Sequence, residues 1–467
     1  MVMPLVVVLP GIGGSELADD DGRSVYSINT RALLTRILAP AALDASRPLR
    51  ATGLIGSYGL AWKQLITGYD GLMRELIGAL QLRPEVVATA GRDQPNPLVS
   101  LLAFPYDFRQ SVGACAQALD QELRKWLYGR PVVMVGHSMG GLVAACWWAH
   151  LSDGVDVKEI ITLGTPFRGA TKALDFLVNG VHVGGLGLPE ISTVLRGWDS
   201  VFDLLPHAQV IEGNSERNSG GNREKNHDGL YPFQLPTELM AAVPGFAERA
   251  RRAYETNQSL HKAMVARAER NGGHPFTHYY SQGHTTSSMA LLDGDRLAVN
   301  KTDPDWVPRG WEAGDGTVPR FSAISRLAEQ EPRAWRRLAR RHGELVDEVA
   351  VVQHVRDYGL APLPAAARGG SEAEAAPYLR LDLDEVVLAE RPVPLRISVV
   401  SADGEPLPAG EVAGRVARVG LRAAADGDSW AAELPPLSEG LHELRITATG
   451  VPGVDRITTR MRIGAVS

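Results

Sequence analysis

Six residues constrain this chain more than any other feature. Gly136-His137-Ser138-Met139-Gly140-Gly141 follows the apolar run Val132–Val135 and precedes an apolar helical stretch that begins near Leu142. A serine with glycine two places before and two places after fits a strained strand-to-helix turn in which larger neighbours would collide. The turn lifts the serine hydroxyl above the edge of a sheet. The amide of Met139 then points at the same spot from a helix N-terminus, where an oxyanion is stabilised. A bare G-x-S-x-G arises often by chance, and the strand, the helix and His137 give this one its meaning.

The first 360 residues supply the frame that such a turn needs. Leu5–Leu9, Leu101–Phe104, Val132–Val135 and Lys158–Leu163 read as strands. Between the second and third, Ser111–Leu127 carries Cys115, Leu119, Leu123 and Leu127 on one helical stripe. Strands alternating with helices at this spacing predict right-handed crossovers and a parallel sheet. Residues 170–275 break the rhythm with Gly-rich turns and the polar stretch Glu212–Asp228, so they read as a cap inserted over the sheet. His278–Gln282 resumes as a strand. Pro362–Pro377 is rich in Ala, Pro, Gly and Glu and reads as a linker. Beyond it the pattern changes to period two, as in Leu379, Leu381, Leu383 and Leu395, Ile397, Val399, with turn dipeptides at Asp403-Gly404 and Asp426-Gly427. This predicts a β-sandwich of immunoglobulin type. The expected organisation is therefore residues 1–361, a linker at 362–377, and a sandwich at 378–467. With few large apolar residues in the linker, the two cores are expected to be separable.

A chain of 467 residues with 44% hydrophobic and 22% charged residues has enough apolar side chain for two cores. Its net charge of -6 offers no global basic field for nucleic acid. Two cysteines, Cys115 and Cys146, make no disulfide framework, and no CxxC or Cys/His zinc spacing occurs. The start of the chain is apolar but has no basic n-region, and no run of 18 apolar residues exists, so the expected setting is cytoplasmic. Only seven of the 48 basic residues are Lys, a bias that fits a GC-rich bacterial genome.

A hydroxyl nucleophile needs a base and an acid that orients it. In folds built on a G-x-S-x-G elbow these follow the serine in the order acid, then histidine. Gly314-Asp315-Gly316-Thr317-Val318-Pro319 is a polar turn downstream of Ser138, and Asp315 is the preferred acid, with Asp293 and Asp295 as alternatives. His342 and His354 follow Asp315 before the sandwich. His342 precedes an apolar-periodic helix, so a loop can deliver its ring to the serine, whereas His354 lies within that helix. His342 is the preferred base. The loop Pro10-Gly11-Ile12-Gly13-Gly14-Ser15 after the first strand is the expected source of the second oxyanion donor, with the Ile12 amide preferred and Gly13 next. The block Tyr106-Asp107-Phe108-Arg109 is read mainly as a structural ion pair that fixes a loop.

Together these blocks resemble the lecithin:cholesterol acyltransferase family of α/β-hydrolases. The resemblance rests on Pro10–Ser15, Phe104–Arg109, Gly136–Gly141 and Gly314–Pro319, in that order, with Thr162–Gly169 after the nucleophile helix, and it covers about residues 1–360. It implies Ser138 as nucleophile, Asp315 as acid, a downstream His as base, and the Ile12 and Met139 amides as oxyanion hole. It also implies a lipid ester as substrate and lid segments near Ser27–Ala42 and within 170–275. Neither the disulfides nor the leader of the secreted members is expected in this chain, and the sandwich is not a standard part of the family. The expected fold is thus an α/β-hydrolase with a cap, followed by a β-sandwich. The expected activity is a lipase, phospholipase or acyltransferase needing no metal or organic cofactor. The substrate is its expected partner, with the sandwich or a membrane face open to further contacts. Two alternatives stand beside it: a degenerate hydrolase serving as a binding scaffold, and a phospholipase effector in a bacterial conflict system.

Overall fold

The structure is a computed structural model that describes residues 3–27, 40–56, 58–60, 63–66, 68–183, 186–213, 229–301, 307, 311, 313–360, 376–384 and 386–466. Seven parallel strands form the central sheet: β1 (Leu5–Leu9), β2 (Val87–Thr89), β3 (Leu101–Ala103), β4 (Val132–His137), β5 (Val157–Leu163), β6 (Phe276–Ser281) and β7 (Trp335–Leu338). Their order across the sheet is β7-β6-β5-β4-β1-β3-β2. A parallel sheet is covered on both faces, which is why its strands read as unbroken apolar runs.

Strand β1 shows how the layers form. Alternate side chains point to opposite faces, so Leu5, Val7 and Leu9 join one cluster and Val6 and Val8 another. The first cluster includes residues of α2 (Val112–Leu127) and α3 (Met139–His150), and the second includes residues of α1 (Asp70–Ala79) and α5 (Val349–Leu360). Helix α2 starts where the Ser111 side chain accepts the Ala114 N–H at 3.2 Å and ends at Tyr128 in the left-handed region. Its buried stripe includes Leu119, Leu123 and Trp126. Each such side chain contributes roughly 1.5–3 kcal/mol by leaving water.

Residues 170–275 hold Thr171–Val178, Pro189–Leu195, Asp199–Asp203 and the 26-residue α4 (Phe246–Asn271), which packs on α3. The sequence reading did not anticipate α4. Its inward face uses small residues, Ala250, Ala253 and Ala268, between Phe246, Leu260 and Met264, while charged residues fill the rest. The helical period is present, but alanine makes it faint. Of the polar stretch Glu212–Asp228, residues 214–228 lie outside the described residues, as do residues 28–39 of the first lid segment and 362–375 of the expected linker.

After it, a four-stranded sheet (Tyr378–Asp382, Val393–Val400, Ser429–Leu434, Ala424–Asp426) faces a five-stranded one (Val386–Leu388, Val454–Val466, Gly440–Val451, Glu411–Val416, Val419–Arg422). They share a core of their own that includes Leu381, Ile397, Val412, Leu444 and Met461. The seam between this sandwich and the hydrolase layer is nonetheless built by backbone pairing. Leu381 donates its N–H to Gly283 O at 2.9 Å, and its carbonyl accepts the Thr285 N–H at 3.1 Å. Separate cores were expected to mean a detachable sandwich. The structure instead threads its first strand against the loop after β6.

Candidate active site

Strand β4 delivers Ser138 at its end, and α3 begins one residue later. Ser138 has φ +52°, a left-handed conformation that costs a non-glycine residue roughly 1–3 kcal/mol. The surrounding glycines make it feasible. A Cβ on Gly136 would lie 2.7 Å from the Gly141 backbone, and one on Gly140 would lie 2.5 Å from Leu9 O and Pro10 O. The Ser138 N–H is held by Leu163 O at 2.8 Å.

Three predicted residues meet here. His342 Nε2 lies 2.9 Å from Ser138 Oγ, and His342 Nδ1 lies 2.7 Å from Asp315 Oδ2. An acidic partner on Nδ1 fixes the tautomer, so Nδ1–H donates to the carboxylate and Nε2 accepts the serine proton. Asp315 Oδ1 accepts the N–H groups of Val318 at 2.7 Å and Thr317 at 2.9 Å. Burial by itself would raise the Asp315 pKa, but His342 and these amides outweigh it and hold the carboxyl below the usual range. His354 is elsewhere, with Nδ1 3.1 Å from Tyr279 Oη and Nε2 3.6 Å from Glu159 Oε1. Asp293 is the exposed last residue of the strand Met289–Asp293, and Asp295 sits in the turn that follows.

The Met139 amide opens α3 and so has no acceptor within its own helix. Gly11 packs so close that a Cβ there would meet Ser138 Cβ at 2.9 Å, and Gly14 N–H to Gly11 O closes the turn that contains Ile12. The Asp107–Arg109 pair behaves as a tie. The buried Arg109 guanidinium bonds both Asp107 oxygens, Asp44 O and Arg47 O, and the Arg109 carbonyl accepts the Asp199 N–H.

Several contributors went unread in the sequence. His137 bridges the two halves of the site. Burial pushes its pKa down to about 3, so it is neutral. Its Nε2 faces His342 O at 3.0 Å and must donate, leaving Nδ1 to accept from Tyr69 Oη at 2.8 Å. Tyr69 Oη in turn accepts the Gly11 N–H at 2.7 Å. One chain of hydrogen bonds thus ties the oxyanion loop to the base. Gly164, at φ +57°, presses on the acid and base together. A Cβ there would lie 2.7 Å from Asp315 Oδ2 and 3.1 Å from His342 Nδ1. Gly164→Ala is therefore expected to displace the Asp315 carboxylate and the His342 ring and cut kcat for a short ester by about 100-fold, with KM little changed; kcat within a few-fold of wild type would contradict this.

The sandwich reaches the same turn. Glu344, two residues past His342, accepts the Arg462 N–H at 2.8 Å, and the Arg462 guanidinium meets Asp347 at 2.6 Å. The buried Arg341 donates to Leu383 O at 2.6 Å.

Residues 95–223 match the sequence model of the lecithin:cholesterol acyltransferase family. This segment is similar to that family, and the match covers less than a third of the chain. The family segment contains Pro105–Arg109, Ser138 and Gly164–Gly169, while Asp315 and His342 lie beyond it. A curated relative, the phospholipase A(1) LCAT3 of Arabidopsis thaliana, is 34% identical over 91 residues, 18% of this chain, and the match spans only 20% of that relative's length. Among solved structures, the mature lipase BlEst2 of Bacillus licheniformis aligns at a TM-score of 0.36 and 12% identity, over 76% of this chain and 92% of that one. Phospholipase PlaB of Legionella pneumophila aligns at a TM-score of 0.26 and 10% identity, over 99% of this chain and 90% of that one.

Burial leaves a pH signature. His137, His207, His278 and His284 are all pushed down to about 3 by burial. The unfolded chain takes up these protons near pH 6.5 and the folded chain not until about 3. Their stabilisation is complete above 6.5 and is lost as pH falls toward 3, at roughly 1.4 kcal/mol per pH unit and per ring. Asp203, raised to about 6 by burial, opposes them: its contribution is present at low pH and is lost as pH rises through 6. Glu344, also raised by burial, acts in the same sense as Asp203, and four rings against these two carboxyls leave a net loss on acidification. The melting temperature should fall steadily from pH 6.5 to 4, and a flat profile would contradict this.

Proposed function

We propose that this chain is a lipid-ester hydrolase or acyltransferase working through an acyl-enzyme on Ser138. The observation that carries the reading is the unbroken line Asp315 Oδ2, His342 Nδ1, His342 Nε2, Ser138 Oγ at 2.7 and 2.9 Å. His342 removes the hydroxyl proton as Ser138 Oγ attacks the ester carbonyl. The oxyanion settles on the Ile12 and Met139 amides. As the carbon–oxygen bond to the leaving alcohol breaks, His342 returns the proton to that alcohol. Water or a second hydroxyl then repeats the sequence in reverse and releases the acyl group. The residues themselves suffice for these steps. The lipid comes from the family segment and from the phospholipase name of the Arabidopsis relative. The same reading includes peripheral contact with a membrane, a protein contact through the sandwich, and a cytoplasmic setting, which suits the free thiols Cys115 and Cys146.

The test is incubation with defined phospholipids and neutral esters, with and without an added alcohol, followed by mass spectrometry of products. Free fatty acid, or a new ester when alcohol is present, is expected from wild type and not from Ser138→Ala. Wild-type protein that cleaves none of them would overturn the proposal. An inert scaffold is disfavoured by the intact proton path, which such a role does not require.

A further inference from the structure

Away from the serine, on the outer face of the five-stranded sheet, three arginines stand in one row. Arg415 is paired directly with Arg445, and Arg445 with Arg460, on three adjacent strands. All three are exposed, and none of their guanidinium groups forms an ion pair or hydrogen bond with another described residue. Neighbouring strands lie about 4.8 Å apart, so the three stems fall within roughly 10 Å. Like charges directly opposite one another weaken a sheet.

A second feature adds to the row. The two-residue loop joining Glu411–Val416 to Val419–Arg422 is Ala417-Arg418, with φ +48° and +70°. Asn-Gly is the usual choice for such a loop, because two positive φ values strain other residues. Here the strained position holds a fourth arginine. The row and the loop line a cavity of about 430 Å³, with His442 and one acidic residue, Glu443, on its wall. Four guanidinium groups against one carboxylate gather in a chain whose net charge is -6. Glu443 is the cross-strand partner of Arg462, whose guanidinium reaches Asp347 near the His342 turn. The cavity therefore lies one row from the seam with the hydrolase layer.

We propose that this cavity binds a phosphate group, presented either by a soluble phosphate compound or by a phospholipid headgroup. Planar guanidinium forks match phosphate oxygens in pairs, and a bound dianion relieves the repulsion along the row. The site needs no chemistry at Ser138, so it goes beyond the hydrolase reading and stands or falls separately.

The experiment uses full-length Ser138→Ala protein, which binds without turnover, and the same protein with Arg415, Arg445 and Arg460 all changed to Gln. One arm measures melting temperature against inorganic phosphate. The other measures co-sedimentation with phosphatidylcholine vesicles, with and without phosphatidylserine, at several salt concentrations. The parent protein is expected to be stabilised by phosphate through ligand linkage, or to bind the anionic vesicles with an affinity that falls as salt rises. Phosphate stabilisation alone assigns a soluble source, and vesicle binding alone assigns the headgroup. The triple variant is expected to lose about 100-fold in affinity, since each of the three arginines near an anionic surface contributes about fivefold. Its ligand-free melting temperature should equal or exceed the parent's, because the row no longer repels itself; this separates lost binding from lost folding. Absence of binding in both arms, or unchanged binding by a folded triple variant, would overturn the proposal.

Discussion

Ser138→Ala protein should fold as wild type does and lose roughly 10⁴–10⁶ in ester turnover. The side chain is small, and removing its hydroxyl leaves the elbow glycines and the Ser138 N–H bond to Leu163 O in place. Removing a strained residue's polar group should not destabilise the turn. His342→Ala should fall to the same level, because nucleophile and base act as one unit, and the double variant should be no worse than either single one. Asp315→Asn should lose about 10⁴, since the amide favours the wrong imidazole tautomer. His354→Ala should keep most of the activity, because its ring contacts Tyr279 and Glu159 and not the serine. Steady-state turnover of a short soluble ester, with melting temperatures as the folding control, checks the set. Activity in Ser138→Ala near that of wild type would remove the mechanism.

A chain ending at residue 377 should lose at least about 100-fold in turnover of that same short ester, although its substrate needs no membrane. The sandwich supplies the Arg462 N–H to Glu344 and the Arg462 guanidinium to Asp347, both within the 3-10 turn His342–Asp347 that carries His342. It also supplies Leu383 O to Arg341 and the pairing of Leu381 with Gly283 and Thr285. Burial raises the Glu344 pKa, while the amides of Arg341 and Arg462 oppose that rise. Losing one amide leaves a buried acceptor unsatisfied, at about 1–3 kcal/mol. A displacement of the base by about 1 Å is enough for a 100-fold loss. Arg462→Ala keeps the backbone donor and breaks only a half-exposed ion pair, so its effect should be far smaller, about 1 kcal/mol or less. A folded truncated protein with wild-type turnover would show that the seam does not position the base.

The sequence made the serine elbow, the acid turn and the alternation of strands readable because each rests on local rules. Gly136 and Gly140 are required by contacts within a few residues of Ser138 or with the neighbouring strand. Gly314–Pro319 announces its turn by composition. The period-two pattern of Leu395, Ile397 and Val399 marks their burial. What stayed hidden depends on contacts between distant segments. Arg462 reads as an ordinary outward residue of an alternating strand, yet it meets Glu344 across 118 positions. Tyr69 and His137 are 68 apart, and no local pattern predicts that they link Gly11 to His342. Helix α4 was missed for another reason: alanines form much of its buried face, so the apolar stripe carries little signal. The expectation of a detachable sandwich came from linker composition alone, and composition says nothing about which backbone edges will pair.

The most direct test of the central claim is covalent labelling by a fluorophosphonate, with the modified peptide located by mass spectrometry. The reagent reacts only with a serine whose proton has somewhere to go. A single adduct on Ser138 is expected in wild type, with labelling slowed by orders of magnitude in His342→Ala and kept at most of its rate in His354→Ala. A folded wild-type protein that takes no label, or takes it on another serine, would contradict the account.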